Sequence, residues 1–130
     1  MAHPNAELLR KAYDAFNKGD MDFLRQEVFA EDVVAHAPGK NSLAGDYKGV
    51  DEVFSLFEKL FERTGGTFQA EIHAVLADDE HGAVFSKGSG QREGKTYEGN
   101  TVELYHFRNG KVSEFWPLDE DQYAWDEFLG

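Results

Sequence analysis

The chain has 130 residues, 41% of them hydrophobic, including eleven Phe, five Tyr and two Trp, which is enough apolar material for one core in one domain over residues 1–130. Thirteen basic against twenty-five acidic residues leave a net charge of −12, a field that repels phosphate backbones and anionic lipid and so argues against nucleic-acid and membrane partners. The absence of cysteine excludes disulfides and thiolate chemistry. Met1-Ala2-His3-Pro4-Asn5 has neither a basic start nor an apolar run, and no segment approaches the ~20 apolar residues of a bilayer span, so the expected location is the cytoplasm.

Pro4-Asn5 opens a helix whose apolar stripe is Leu8, Leu9, Ala12, Tyr13 and Phe16, with Gly19 as its stop. Asp20 caps a short second helix carrying Met21, Phe23, Leu24 and Val28. Val33 to Ala37 reads as a strand closed by Pro38-Gly39, and residues 38–49 as the longest loop. A third helix begins near Asp51, buries Val53, Phe54, Phe57, Leu60 and Phe61, and ends at Gly65-Gly66. Strand-like segments follow at 67–77, 82–89, 96–108 and 111–117, with turns at 78–80 and 90–95 and an Asn109-Gly110 hairpin. The tail, 119–130, carries Tyr123, Trp125 and Phe128 and reads as a short packed helix. Helices first and an antiparallel meander afterwards predict an α+β fold with helices on one sheet face.

Without a bulge, Asn109-Gly110 pairs Arg108 with Lys111, Tyr105 with Glu114 and Glu103 with Trp116. Alternation then gives one face Thr101, Glu103, Tyr105, Phe107, Val112, Glu114 and Trp116, and the other Val102, Leu104, His106, Ser113 and Phe115. Both faces are apolar enough to need cover, one from helices and the other from a partner subunit, so a homodimer is expected. Glu103 and Glu114 become diagonal neighbours, roughly 7–8 Å apart along the backbone. On a covered face, such acids are pushed toward their neutral forms; on an exposed one they are simply solvated.

Particular runs carry a family resemblance. These are Phe29 to Gly39, Leu43 to Gly49, Gly66-Thr67-Phe68, Phe107 to Val112, Glu114-Phe115-Trp116 and Asp121 to Phe128. Together they resemble the SnoaL-like, ketosteroid-isomerase-related branch of the nuclear transport factor 2-like superfamily, over nearly the whole chain. The resemblance implies a cone-shaped fold, in which N-terminal helices pack in a strongly curved antiparallel sheet around a conical pocket. It also implies isomerase, cyclase, dehydratase, epoxide hydrolase or non-catalytic association roles. In the isomerases, an aspartate base works with a tyrosine and a protonated acid. The acid position falls on Glu103, but the base position is Ala37 and the tyrosine position is Ala12, one residue from Tyr13. The isomerase triad is therefore not retained. The cyclases carry an acid just past the last strand, for which Asp119 and Asp121 are the counterparts. The Asp-Arg-Asp set of the epoxide hydrolases has no placed arginine, since Arg108 lies at the hairpin tip.

His36, beside the pocket mouth, suits a base near neutral pH, but only a bulge turns it inward; otherwise it pins the 38–49 loop. His73 reads either as a site residue or as a core histidine. His106 falls on the opposite hairpin face, and His3 and His81 read as solvated. No HxH, HExxH or glycine-rich phosphate loop occurs, so neither a metal nor a cofactor is expected. The sequence thus points to a cofactor-independent enzyme that moves a proton on an apolar, carbonyl-bearing small molecule. Its candidate catalytic residues are Glu103, His36, Asp119 and Asp121, and its candidate substrate contacts are Tyr105, Trp116, Tyr13, Phe57, Glu114 and His73. The rival reading is a binding or association module of the same fold.

Overall fold

The computed structural model describes residues 3–130. Helix α1, Pro4–Lys18, is capped by the His3 side chain, which accepts from the Asn5 backbone N–H, and it ends at Gly19 in the left-handed region. Buried Asn5 donates through Nδ2 to the Asp78 carbonyl at 3.0 Å, tying the start of α1 to the turn between two later strands. Asp20 caps α2, Met21–Phe23, as expected. The chain then makes a π-helical turn, Leu24–Val28, that carries Leu24 and Val28 into the core.

Strand β1, Phe29–Ala37, is followed by β2, Gly45–Lys48, which forms within the segment expected to be loop. Helix α3 spans Val50–Arg63 and buries Val53, Leu56 and Phe57. Four strands follow: β3, Gln69–Ala77; β4, His81–Arg92; β5, Lys95–Arg108; and β6, Lys111–Asp119. Helix α4, Gln122–Leu129, closes the fold. The six strands form one sheet in the order β2-β1-β6-β5-β4-β3. It is not wholly antiparallel, because β1 returns beside β6 in parallel after the α1–α2 segment. The sheet is curved and unclosed around α1 and α3, giving the α+β cone fold.

The β5–β6 hairpin departs from the expected register. Arg108 pairs with Lys111 and Phe107 with Val112, but His106 then pairs with Glu114, Tyr105 with Phe115 and Glu103 with Pro117. A bulge at Ser113, whose hydroxyl donates to the His106 carbonyl at 3.2 Å, shifts everything beyond it by one residue. The shift lets Val112 and Phe115, three apart, both point into the core, where they are 0% and 5% exposed. It also keeps the Glu114 carboxylate and the Trp116 indole N–H out of the core, where each would be costly without partners. Phe29, Phe115 and Tyr105 then stack in series, with ring centroids 5.7 and 5.6 Å apart.

Candidate functional site

Between α1, α3, α4 and the inner sheet face lies a cavity of about 180 Å³. Its wall is mostly apolar and includes Leu9, Phe16, Leu56, Phe57, Phe115 and Trp125. Two acid clusters break that apolarity. In the first, Tyr13 from α1 donates to Glu103 Oε1 at 2.5 Å, Ser86 Oγ donates to the same oxygen at 2.9 Å, and the Tyr13 and Tyr105 hydroxyls lie 2.6 Å apart. Glu103 is 9% exposed, and burial pushes its carboxyl above the usual carboxylate range, against the hydrogen bonds that favour the anion. Burial raises Tyr13 and Tyr105 as well, with the nearby Glu103 adding to the effect, so both stay neutral donors at physiological pH.

The second cluster is Asp119, which accepts a hydrogen bond from the Tyr97 hydroxyl. Burial raises Asp119 to about 6, with the negative charges of Glu103, Asp121 and Asp126 adding to the rise and the Tyr97 bond opposing it. Gly99 makes this pair possible: a Cβ there would collide with the Tyr97 hydroxyl. Glu103 pairs with Pro117, so Asp119, two residues on, is the diagonal partner of Glu103, with backbone spacing of roughly 7–8 Å. The bulge has replaced the expected Glu103–Glu114 diagonal with a Glu103–Asp119 one.

The structure brings Glu103, Tyr105, Tyr13, Phe57 and Asp119 to the cavity wall. It places the other candidates elsewhere. Asp121 is exposed and caps α4 by accepting from the Ala124 N–H. His73 is an exposed residue at a bulge between Ile72 and Ala74 of β3. Trp116 and Glu114 lie on the outer sheet face because of the Ser113 bulge. His36 keeps strict strand alternation and also points outward. It is 2.5 Å from Glu114 Oε2 and 2.8 Å from Asp46 Oδ1, and it stacks on Trp116 at 5.1 Å. The Glu114 bond, helped by Asp46, raises the pKa of His36 against a smaller burial effect. Ala37, at the position where the resemblance implies a base, does line the cavity.

Sequence reasoning missed Ser86, Thr101, Tyr97 and Trp125, all of which line the cavity. The signal for Thr101 and Tyr97 was period-two alternation with Glu103, and Gly99 between them marked a close approach. Among the described residues, no group of three or more His, Asp or Glu is arranged to hold a metal ion, and no helix is long and apolar enough to cross a membrane.

The SnoaL-like domain family matches residues 9–115, from the middle of α1 through Phe115. The chain is a SnoaL-like domain protein. An uncharacterised protein of Mycobacterium tuberculosis is 29% identical over 124 residues, 94% of this chain and 93% of its own. Bal32a, from a soil-derived mobile gene cassette, superposes with a TM-score of 0.94 at 38% identity, over 98% of this chain and 97% of that one. A SnoaL-like protein of Jannaschia sp. CCS1, proposed to be a polyketide cyclase, shares the fold with a TM-score of 0.80 at 17% identity, over 97% and 91% of the two chains. The chain shares the SnoaL-like fold with these proteins, and the cavity described above lies within its helix-lined cone.

Proposed function

We propose that this SnoaL-like protein catalyses proton transfer on an uncharged, carbonyl-bearing small molecule held in the cavity. The observation that carries the proposal is the pair of carboxyls, Glu103 and Asp119, set diagonally on one apolar wall in different surroundings. Glu103, whose protonated form burial favours, is oriented by Tyr13 and Ser86 and in that form donates a hydrogen bond to the substrate oxygen. Asp119, at about 6, is mostly ionised at pH 7 and removes a proton from the carbon next to the carbonyl. The C–H electron pair becomes the C=C bond of the enol, and the C=O π pair moves to the oxygen facing Glu103. Returning the proton to another carbon completes an isomerisation; attack of the enol carbon on an electrophilic carbon completes a cyclisation. Neither route needs an oxidant or a second reactant.

The test is deuterium incorporation from D2O into cyclic enolisable ketones such as 2-tetralone, followed by proton NMR. Exchange above the buffer rate, lowered about 10²-fold or more in both Glu103→Gln and Asp119→Asn, is the expected result. Exchange indifferent to Asp119→Asn would remove that residue from the chemistry. Ala37, standing where a family base would be, favours a second reading in which the cavity binds without turnover. Saturable ketone binding with no exchange at any pH would establish that reading.

We further propose that a second copy of the chain covers the outer sheet face. Two cross-strand rows support this, Leu76–Ala83–Leu104–Trp116 and Ala74–Phe85–Val102–Leu118. Leu76, Phe85, Leu104 and Leu118 are 62%, 42%, 39% and 40% exposed, and all lie on this one face. With a net charge of −12, two copies repel except where such a neutral apolar stripe meets its own image.

A further inference from the structure

We infer that residues 38–44, the loop joining β1 to β2, form a flap at the mouth of the cavity, latched to α4 and released as a unit to admit a ring-sized ligand. The flap lines the cavity with Pro38, Asn41 and Leu43, and α4 adds Gln122 and Trp125. Pro38, Asn41 and Gln122 are themselves half-buried, so they stand at the rim, while Leu43 is buried against the apolar wall. Polar bonds join the two elements across this rim. Asn41 Nδ2 donates to Asp126 Oδ1 at 2.7 Å, and Gln122 Nε2 donates to the same oxygen at 2.9 Å and to the Pro38 carbonyl at 3.4 Å. The Ser42 N–H donates to the Gly130 carbonyl at 2.8 Å. Groups at a rim exchange such bonds for bonds to water at small net cost, which suits a latch that opens.

The loop holds its own shape, because Asn41 accepts from the Leu43 N–H on Oδ1 at 2.9 Å and from the Ala44 N–H on its carbonyl at 3.1 Å. Backbone freedom sits at its two ends, where Gly39 and Gly45 have φ of +100° and +142°. The Ala37–Gly45 pair fixes the base, so movement is confined to the tip. The other walls are fixed. Phe128 and Leu129 anchor α4 in the core, and Arg92 and Arg63 donate to their carbonyls at 3.2 Å each. Helix α1, α3 and the sheet are held by fully buried Leu9, Val53 and Val84. The flap is therefore the part of the wall that costs least to move.

The chain has no cysteine, so Ala12→Cys sets a single thiol on the buried α1 wall of the cavity. Its reaction with the ring-sized reagent N-phenylmaleimide, followed by mass spectrometry, reports how often the mouth opens. Two further substitutions release the latch by different means. Asn41→Asp keeps the acceptor for the Leu43 N–H but sets a second carboxylate against Asp126. Gly39→Ala removes no polar group, but its methyl collides with Asp126 and Gln122. Each, added to Ala12→Cys, should speed labelling roughly tenfold, while amide hydrogen exchange at Val53 and Val84 stays as it was. Labelling unchanged by both substitutions would place entry at another part of the wall and overturn the flap. Labelling that accelerates only in step with exchange at Val53 and Val84 would mean a general loosening of the fold, and would overturn it as well.

Discussion

Asp119 is held above its ordinary value, so the folded state prefers its proton more than the unfolded chain does. The corresponding stability is fully present below about pH 4 and is lost as pH rises through about 6. Asp119→Asn keeps an acceptor for Tyr97 and removes that loss. Its melting temperature relative to wild type should therefore rise between pH 4 and pH 8, a trend that differential scanning calorimetry at both pH values would confirm or refute. Gly99→Ala acts on the same pair from the other side, since the new methyl displaces the Tyr97 hydroxyl. On the proposed mechanism it should reduce exchange activity and change the acidic limb of the pH–rate profile, which that mechanism sets near 6 through Asp119. An unchanged limb would mean that Tyr97 does not tune Asp119.

The Ser113 bulge decides which residues of β6 face the cavity, and deleting Ser113 tests it directly. Without Ser113, Val112 and Phe115 are two apart, so regular alternation turns both inward while Glu114 stays opposite His106 and Phe115 opposite Tyr105. The deletion should therefore keep cooperative unfolding, with a melting temperature within roughly 10 °C of wild type by circular dichroism; loss of cooperative unfolding would mean that the bulge does more than set which side chains face inward. The same bulge marks the limit of what the sequence made legible. Helical spacing, Gly19, Asp20 and Asn109-Gly110 located α1, α2 and the hairpin tip, because each acts through local backbone chemistry. Glu103 was legible by counting back from that tip, since β5 itself contains no irregularity. Trp116, Glu114 and His36 were drawn toward the pocket by a register, or by a kink at Pro38, that only tertiary packing could decide. Burying Val112 and Phe115 together requires an extra residue between them, and the choice depends on the neighbouring strand as well as on β6. Asp119 stayed level with Asp121 for a similar reason: Pro117 reads as a strand end, yet β6 continues through it to pair Asp119 with Thr101.

At the scale of the whole molecule, the two faces of the sheet divide the chemistry. The inner face holds the two acids of raised pKa and the cavity. The outer face holds the apolar rows, flanked by His36, Asp46, Glu114, His106 and His81 with Asp78, and by Lys87 with Glu98. Protonated His36 offsets Glu114 and Asp46, and its raised pKa keeps that balance up to a higher pH than an isolated histidine would. Once it loses its proton, the centre of the face becomes more negative, and two like faces repel more strongly. Self-association across this face should therefore weaken as pH rises through the titration of His36. Leu104→Glu, which sets a charge in the middle of one apolar row, should abolish it at every pH. Sedimentation equilibrium at micromolar concentration, at pH 6 and pH 8, measures both effects. A wild type that is monomeric at pH 6 would end the case for a second copy. A dimer that survives Leu104→Glu would place the contact on some other surface and leave the outer rows without a partner.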